Sequence, residues 1–93
     1  MWILQSADTT FRLTPGTVKT VGRAPRADFV LDAALVSRMH FRITATDDLL
    51  EIVDLSSTNG TYVNDKRIGK ATVAAGDRLR VGRVEIKVSR ASR

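Results

Sequence analysis

The feature that most limits the fold of this chain is an apolar–polar alternation with a period of two, interrupted by turn signals about every eight to twelve residues. Such a pattern is typical of short strands in a sandwich or barrel. No window shows the i, i+3, i+4, i+7 apolar spacing of a long helix. The sequence therefore predicts an all-β fold. The predicted strands cover residues 2–4, 11–13, 18–21, 29–31, 40–44, 49–53, 61–63, 67–68, 79–81 and 84–88.

The last hairpin can be predicted residue by residue. Gly82-Arg83 is a two-residue loop with glycine first, as a type II′ turn requires. This turn sets the register, and the register puts the apolar side chains of both strands on one face. The predicted partners are Val81 with Val84 and Leu79 with Ile86 on the inner face, and Arg80 with Glu85 and Arg78 with Lys87 on the outer face.

Length and composition exclude several classes of protein. The 93 residues suit a single domain over 1–93, with a polar tail from about residue 89 that we expect to fray. No cysteine is present, so disulfides and thiolate metal sites are excluded, and one histidine cannot form a metal site. We expect no metal and no other cofactor. Apolar runs of four or five residues cannot span a membrane, and no signal peptide is visible. The lack of cysteine suits a reducing compartment, so a cytoplasmic location is expected.

The net charge of +5 favours anionic partners, such as nucleic acid or a phosphorylated protein. A nucleic-acid tail would show a block of like charges, and Lys66-Arg67 is the one adjacent basic pair. The outer face of the last hairpin is the best candidate for nucleic acid, with Arg78, Arg80, Arg83 and Lys87. No aromatic residue is interleaved with them in the sequence, so no stacking surface is predicted and nucleic acid is not expected as a partner.

Three loop segments carry the residues best suited to chemistry: 22–23, 37–40 and 56–61. Each joins predicted strands, and loops on a rigid sandwich commonly hold the functional site. Together they offer a guanidinium, several hydroxyls, an amide and glycine backbone. An arginine fork makes bidentate bonds to phosphate, and hydroxyls and backbone N–H groups can bind its other oxygens. The three loops therefore indicate a phosphate-binding site.

The same residues resemble the signature of the forkhead-associated (FHA) domain family. The resemblance rests on an ordered set of short motifs over roughly residues 18 to 88, with Trp2–Leu4 as the first strand. It implies a β-sandwich of about eleven strands that binds phosphothreonine peptides through loops at one end. The motifs are Gly22-Arg23, Ser37-Arg38-Met39-His40, Ser57-Thr58-Asn59-Gly60-Thr61 and Val63-Asn64.

The resemblance also implies a role for each matched residue. Arg23 and Ser37 would hold the phosphate, and Arg38 would add a second contact to phosphate or peptide. Thr58 would line the site, and Asn59 would bond the peptide backbone beside the phosphothreonine. The implied partner is a phosphothreonine-containing protein, the substrate of a Ser/Thr kinase. The residues expected to shape the loops are Gly22, His40, Gly60 and Asn64.

Two other functions are weighed against this one. An enzyme would use Ser37 with His40 as nucleophile and base, but residues three apart in an extended segment point to opposite faces, so we predict no catalytic residues. A phosphate-independent interaction scaffold of the same fold would bind through its sheet face. The presence of both Arg23 and Ser37 favours the phosphopeptide function over this scaffold.

Overall fold

The computed structural model describes residues 1–91, and this part of the chain contains no helix that could span a membrane. It forms eleven short strands, as the all-β prediction required. The strands are β1 Trp2–Gln5, β2 Thr10–Leu13, β3 Val18–Gly22, β4 Phe29–Val30, β5 Phe41–Ala45, β6 Leu50–Asp54, β7 Thr61–Val63, β8 Lys66–Ile68, β9 Lys70–Val73, β10 Arg78–Val81 and β11 Val84–Arg90.

The strands form two sheets packed as a sandwich. The six-stranded sheet has the order β2-β1-β11-β10-β7-β8, and the five-stranded sheet has the order β4-β3-β5-β6-β9. Alternate residues of both sheets point inward and bury a continuous apolar core. The largest of the fully buried side chains include Trp2, Phe41, Leu4, Ile43, Leu50, Ile52, Leu79 and Ile86.

The predicted register of the last hairpin is confirmed in all four cross-strand pairs. Gly82 has a φ of 59° and Arg83 does not have a positive φ, as expected for a type II′ turn. Arg80 lies opposite Glu85 as predicted, but its guanidinium packs over the ring of Tyr62 on β7, 4.1 Å from the ring centroid. Glu85 instead forms an ion pair with Arg78, with 3.8 Å between nitrogen and oxygen.

Two features differ from the sequence prediction. Strand β9 was not predicted, because only its last residue, Val73, is buried in the core and its pattern is therefore weak. The tail was expected to fray from about residue 89, but Ser89 and Arg90 continue β11. They pair with Ile3 and Trp2 of β1, so both residues belong to the sheet. The rest of the predicted tail, residues 92–93, lies outside the described residues.

Candidate functional site

Three loops meet at one end of the sandwich: the β3–β4 loop (residues 23–28), the β4–β5 loop (31–40) and the β6–β7 loop (55–60). They surround an open depression of about 550 Å³. All five residues predicted to contact a phosphopeptide line it, namely Arg23, Ser37, Arg38, Thr58 and Asn59. The other lining residues are Asp32, Ala33, Ala34, Leu35 and Val36.

Gly22 allows the first two loops to approach each other. A Cβ on Gly22 would lie 2.1 Å from the Arg38 carbonyl oxygen and 2.9 Å from the Met39 Cα. These are backbone atoms, so the contact cannot be relieved by rotating a side chain. The close approach allows two hydrogen bonds between the loops. The Arg23 N–H donates to the Ser37 carbonyl at 2.9 Å, and the Ala24 N–H donates to the Arg38 carbonyl at 3.0 Å. Gly22 therefore shapes the site although it does not line the depression.

The side chain of Arg23 is fixed at one end and free at the other. Its Nε–H donates to the Val36 carbonyl oxygen at 3.1 Å. Among residues 1–91, no hydrogen bond or ion pair occupies its two terminal nitrogens. The side chain is exposed at the edge of the depression. A guanidinium held in this way presents its two terminal N–H₂ groups to an incoming anion.

Hydrogen bonds of Ser37, Thr58 and Asn59 join the β4–β5 loop to the β6–β7 loop. The Thr58 N–H donates to Ser37 Oγ at 3.0 Å, so the Ser37 hydroxyl proton is left to donate elsewhere. The Asn59 amide donates to the Leu35 carbonyl at 3.1 Å, which leaves its carbonyl oxygen and second N–H available. The loops are therefore held together by the residues that would contact the ligand, with hydrogen-bonding capacity left over.

His40 is buried, and both of its ring nitrogens are hydrogen-bonded to the backbone. Its Nδ1 accepts from the Ser37 N–H at 3.0 Å, so Nε2 carries the proton and donates to the Gly60 carbonyl at 2.9 Å. The chain bends at residues 38 and 39, so the extended geometry assumed from the sequence is wrong, and the imidazole reaches the backbone of Ser37. Because both ring nitrogens are occupied, His40 cannot take a proton from the Ser37 hydroxyl.

Asp54, at the end of β6, organises the third loop. Its carboxylate accepts from the Ser57 N–H at 3.0 Å, from Ser57 Oγ at 2.5 Å and from Thr61 Oγ1 at 2.7 Å. Partial burial raises the pKa of Asp54, but the hydrogen bonds from Ser57 and Thr61 and the nearby His40 outweigh it and hold the pKa below 3.8. A lowered pKa stabilises the fold at neutral pH, and this contribution is lost as the pH falls through the folded-state pKa.

The remaining framework residues lie in different places. Gly60 closes the third loop with a φ of 87°, and its N–H donates to Ser57 Oγ at 3.0 Å. Asn64 does not line the depression, since it lies at the other end of β7, in the turn before β8. There its side chain accepts from the Arg78 N–H at 3.0 Å and donates to Asp77 at 3.1 Å. Asn64 thus joins the β7–β8 turn to the start of β10 and does not position the site loops.

Sequence reasoning missed three residues that build the site. Asp54 had a readable signal, because an Asp three residues before a Ser is typical of a side chain that bonds the following turn. Leu35 and Asp32 had none. Leu35 has a φ of 70°, is 47% exposed and offers its carbonyl to Asn59. Asp32 adds a carboxylate to a lining that also contains Arg23 and Arg38, so the net formal charge of the lining is positive by one unit.

Comparison with known proteins agrees with this geometry. A family model described as FHA domain matches residues 19–82. The oxoglutarate dehydrogenase inhibitor of Corynebacterium diphtheriae is 37% identical over 67 residues, which cover 72% of this chain and 47% of that protein. The glycogen accumulation regulator GarA of Mycobacterium tuberculosis is 35% identical over 69 residues, which cover 74% of this chain and 43% of that protein. The chain thus spans less than half the length of these two relatives.

Solved structures give the same result. An FHA domain from a structural and functional study of phosphothreonine-dependent FHA domain interactions aligns with a TM-score of 0.89 and 35% identity, covering 99% of this chain and 98% of that one. The FhaA FHA domain, solved in complex with the intracellular domain of another protein, aligns with a TM-score of 0.86 and 36% identity, covering 95% of this chain and 99% of that one. The family match, the eleven-stranded sandwich and the ordered loop motifs together show that this chain belongs to the FHA domain family.

Proposed function

We propose that this domain binds phosphothreonine in a partner protein, through the depression at the loop end of the sandwich. The observation that carries the proposal is the meeting of Arg23, Ser37, Arg38, Thr58 and Asn59 around one depression, from three separate loops. The partner we expect is a protein phosphorylated by a Ser/Thr kinase. A cytoplasmic location is part of the same proposal and rests on the lack of cysteine.

In this proposal the phosphate lies between Arg23 and Ser37. The terminal nitrogens of Arg23 donate to two phosphate oxygens, while its Nε stays bonded to Val36 and keeps the fork oriented. The Ser37 hydroxyl donates to a further oxygen, because its own acceptor site already receives the Thr58 N–H. Arg38 is exposed beside them and adds charge. The role of these residues is to bind, and no bond of the ligand is broken.

Asn59 and the apolar part of the lining would recognise the rest of the ligand. The free carbonyl oxygen and N–H of Asn59 suit the two hydrogen-bonding groups of a peptide backbone. Ala33, Ala34 and Leu35 give the depression an apolar wall against which a threonine methyl can pack. The phosphate contacts cannot distinguish threonine from serine, so we assign that selectivity to the wall.

A phosphate-independent scaffold is the second candidate, and the site itself argues against it. The Nε–H of Arg23 is bonded to the Val36 carbonyl, and within the described part of the chain the two terminal nitrogens make no such bond. A surface that binds no anion would not need an arginine oriented in this way. Catalysis by Ser37 and His40 is disfavoured because the imidazole is bonded to the backbone on both sides. We therefore propose a binding module and not an enzyme.

A screen of an oriented phosphothreonine peptide library would yield the preferred sequence, and titration calorimetry would then test three forms of that peptide. We expect binding of the phosphothreonine form and no measurable binding of the unphosphorylated form. The phosphoserine form should bind at least about tenfold more weakly, since a buried methyl is worth about 0.8 kcal/mol and the β-branched side chain loses less rotamer entropy. Equal affinity for all three forms would support the scaffold instead.

A further inference from the structure

The two outer faces of the sandwich differ in charge. In the six-stranded sheet, Arg78 and Arg80 alternate with the buried Leu79 and Val81, so the arginines point outward. The register of the other strands places five cations and one carboxylate on this outward face. We call this surface the basic face; its charged residues are Arg12, Arg67, Arg78, Arg80, Lys87 and Glu85.

The outer face of the five-stranded sheet is nearly neutral. Its charged strand residues are Arg42, Glu51 and Lys70, and the last two form an ion pair at 3.5 Å. The rest of that face consists of threonine and valine side chains. The excess positive charge of the sheet faces is therefore concentrated on one side of the sandwich, and such a surface attracts anionic partners.

Most of the cations on the basic face are available for a ligand. Arg78 is bound to Glu85 and also to Asp65, at 3.8 and 3.6 Å. Within residues 1–91, the side chains of Arg12, Arg67 and Lys87 have no acidic group within 4.0 Å. A surface of this kind attracts a polyanion through several weak contacts.

The basic face is continuous with the phosphopeptide site through Arg67. A Cβ on Gly60 would lie 2.7 Å from the Arg67 Nε, so the arginine lies directly against the β6–β7 loop, next to Asn59. From Arg67 the paired positions run to Tyr62, Arg80 and Glu85 in one row across the sheet. Four neighbouring strands at about 4.8 Å span roughly 14 Å, which an extended peptide of about five residues can cover.

From this continuity we infer that an acidic segment next to the phosphothreonine of the partner binds the basic face. The inference rests on the proposed phosphothreonine function and extends it to a second contact surface on the same partner. Nucleic acid fits the face less well, although Tyr62 does lie among the arginines, which the sequence did not indicate. Arg80 covers the Tyr62 ring at 4.1 Å, so a base cannot stack there without displacing it.

The test uses phosphothreonine peptides with a ten-residue extension on either the amino or the carboxyl side. Each extension is made in two forms, one rich in Glu and Asp and one with Gln and Asn in their place. For one direction we expect the acidic form to bind about fivefold more tightly at low salt, as two or three exposed ion pairs allow, and this gain to disappear in 0.5 M salt. Equal affinities in both directions would overturn the inference.

Matched double variants locate the effect. Arg80→Gln/Lys87→Gln should remove the gain from the acidic extension, whereas Arg42→Gln/Lys70→Gln on the opposite face removes the same charge and should retain the gain. Lys87→Gln alone leaves the Arg80–Tyr62 contact intact and should remove part of the gain, which excludes an effect of misfolding. Equal losses in the two double variants would show diffuse attraction and contradict the inference.

The neutral-extension peptides separate this inference from the proposed function. If phosphorylation does not tighten their binding, the loop site fails; if it does, and the acidic form gains nothing, only the basic face fails. A labelled oligo(dT) of twelve nucleotides is the last arm. Binding of this probe that is tighter than that of the acidic phosphopeptide and is lost in Arg80→Gln/Lys87→Gln would assign the face to nucleic acid and overturn the inference.

Discussion

The tripeptide Val-Gly-Arg occurs twice in this chain, at 21–23 and at 81–83, and the two copies do different things. In the first copy the glycine is buried beneath the Arg38 carbonyl, and the arginine is bonded to Val36 with its terminal nitrogens free. In the second, the glycine forms a hairpin turn with a φ of 59°, and the arginine is exposed at the tip. The function of a motif this short is set by the strands and loops around it.

The difference begins with what each glycine provides. Gly22 lacks a positive φ and is needed for space, since backbone atoms lie where its Cβ would be. Gly82 is needed for its left-handed conformation, although a Cβ there would also lie 3.0 Å from the Ala34 carbonyl oxygen and from the Leu35 Cβ. The two requirements predict different costs for the same substitution.

The largest effect is expected for Gly22→Ala. The added Cβ would lie 2.1 Å from a carbonyl oxygen, so the two loops must separate and lose the hydrogen bond from Ala24 to Arg38. We expect a loss of at least about 3 kcal/mol in the free energy of unfolding, or a fall in Tm of roughly 12 °C or more. Chemical denaturation would measure it, and a loss below about 1 kcal/mol would show that the loops can move apart freely.

Arg23→Ala is expected to act on binding and not on folding. Charge-assisted bonds to phosphate are lost, at a cost of about 2–4 kcal/mol, or roughly thirty- to a thousandfold in affinity. Stability should change little because the side chain is exposed. Titration calorimetry with the phosphothreonine peptide measures the loss. The Arg23→Lys variant keeps the charge but lacks the guanidinium fork, so its affinity should lie between those of the wild type and Arg23→Ala. Binding within threefold of wild type would remove Arg23 from the phosphate site.

Gly82→Ala should destabilise the fold less than Gly22→Ala. An alanine forced into the left-handed region costs about 1–2 kcal/mol, and the contacts at 3.0 Å include the Leu35 side chain, which is half exposed and can shift. Thermal unfolding of both alanine variants under one set of conditions makes the comparison. A cost equal to that of Gly22→Ala would mean that the two glycines play the same structural role.

The smallest effect is expected for Arg83→Ala. Its side chain is exposed at the hairpin tip and does not line the depression, so phosphopeptide affinity should change by less than about 0.5 kcal/mol. This variant carries the same charge change as Arg23→Ala and serves as its control in calorimetry. Equal losses for the two would favour general attraction by a basic surface over a defined site.

How far the sequence predicts this molecule depends on how local each feature is. The type II′ turn at Gly82 fixed the register of the last hairpin, because turn geometry depends on neighbouring residues. The partner of Arg80 could not be predicted, since Tyr62 reaches it only after β7 pairs with β10. Strand β9 was missed because an edge strand with one buried residue has little alternation.

The same rule applies to the site. The residues that would contact the ligand were predicted because they lie in short ordered motifs. The contacts that position them were not, because the acceptors are backbone carbonyls of Leu35 and Val36 in a loop with an unusual φ. The hydrogen bond from the Ser37 N–H to His40 Nδ1 was not predicted, because the segment was assumed to be extended although it bends at residues 38 and 39. Loop conformation is thus the part of the site that alternation and turn rules leave undetermined.

We propose that the loop end binds phosphothreonine through Arg23 of the first Val-Gly-Arg and not through Arg83 of the second. The most direct test is a two-dimensional ¹H–¹⁵N NMR titration that follows the arginine Nε–H signals as the phosphothreonine peptide is added. We expect a large saturating shift of the Arg23 Nε–H, with changes at the Ser37 and Asn59 amides and no shift of the Arg83 Nε–H. A shift centred on Arg83, or small shifts spread evenly over all arginines, would contradict it.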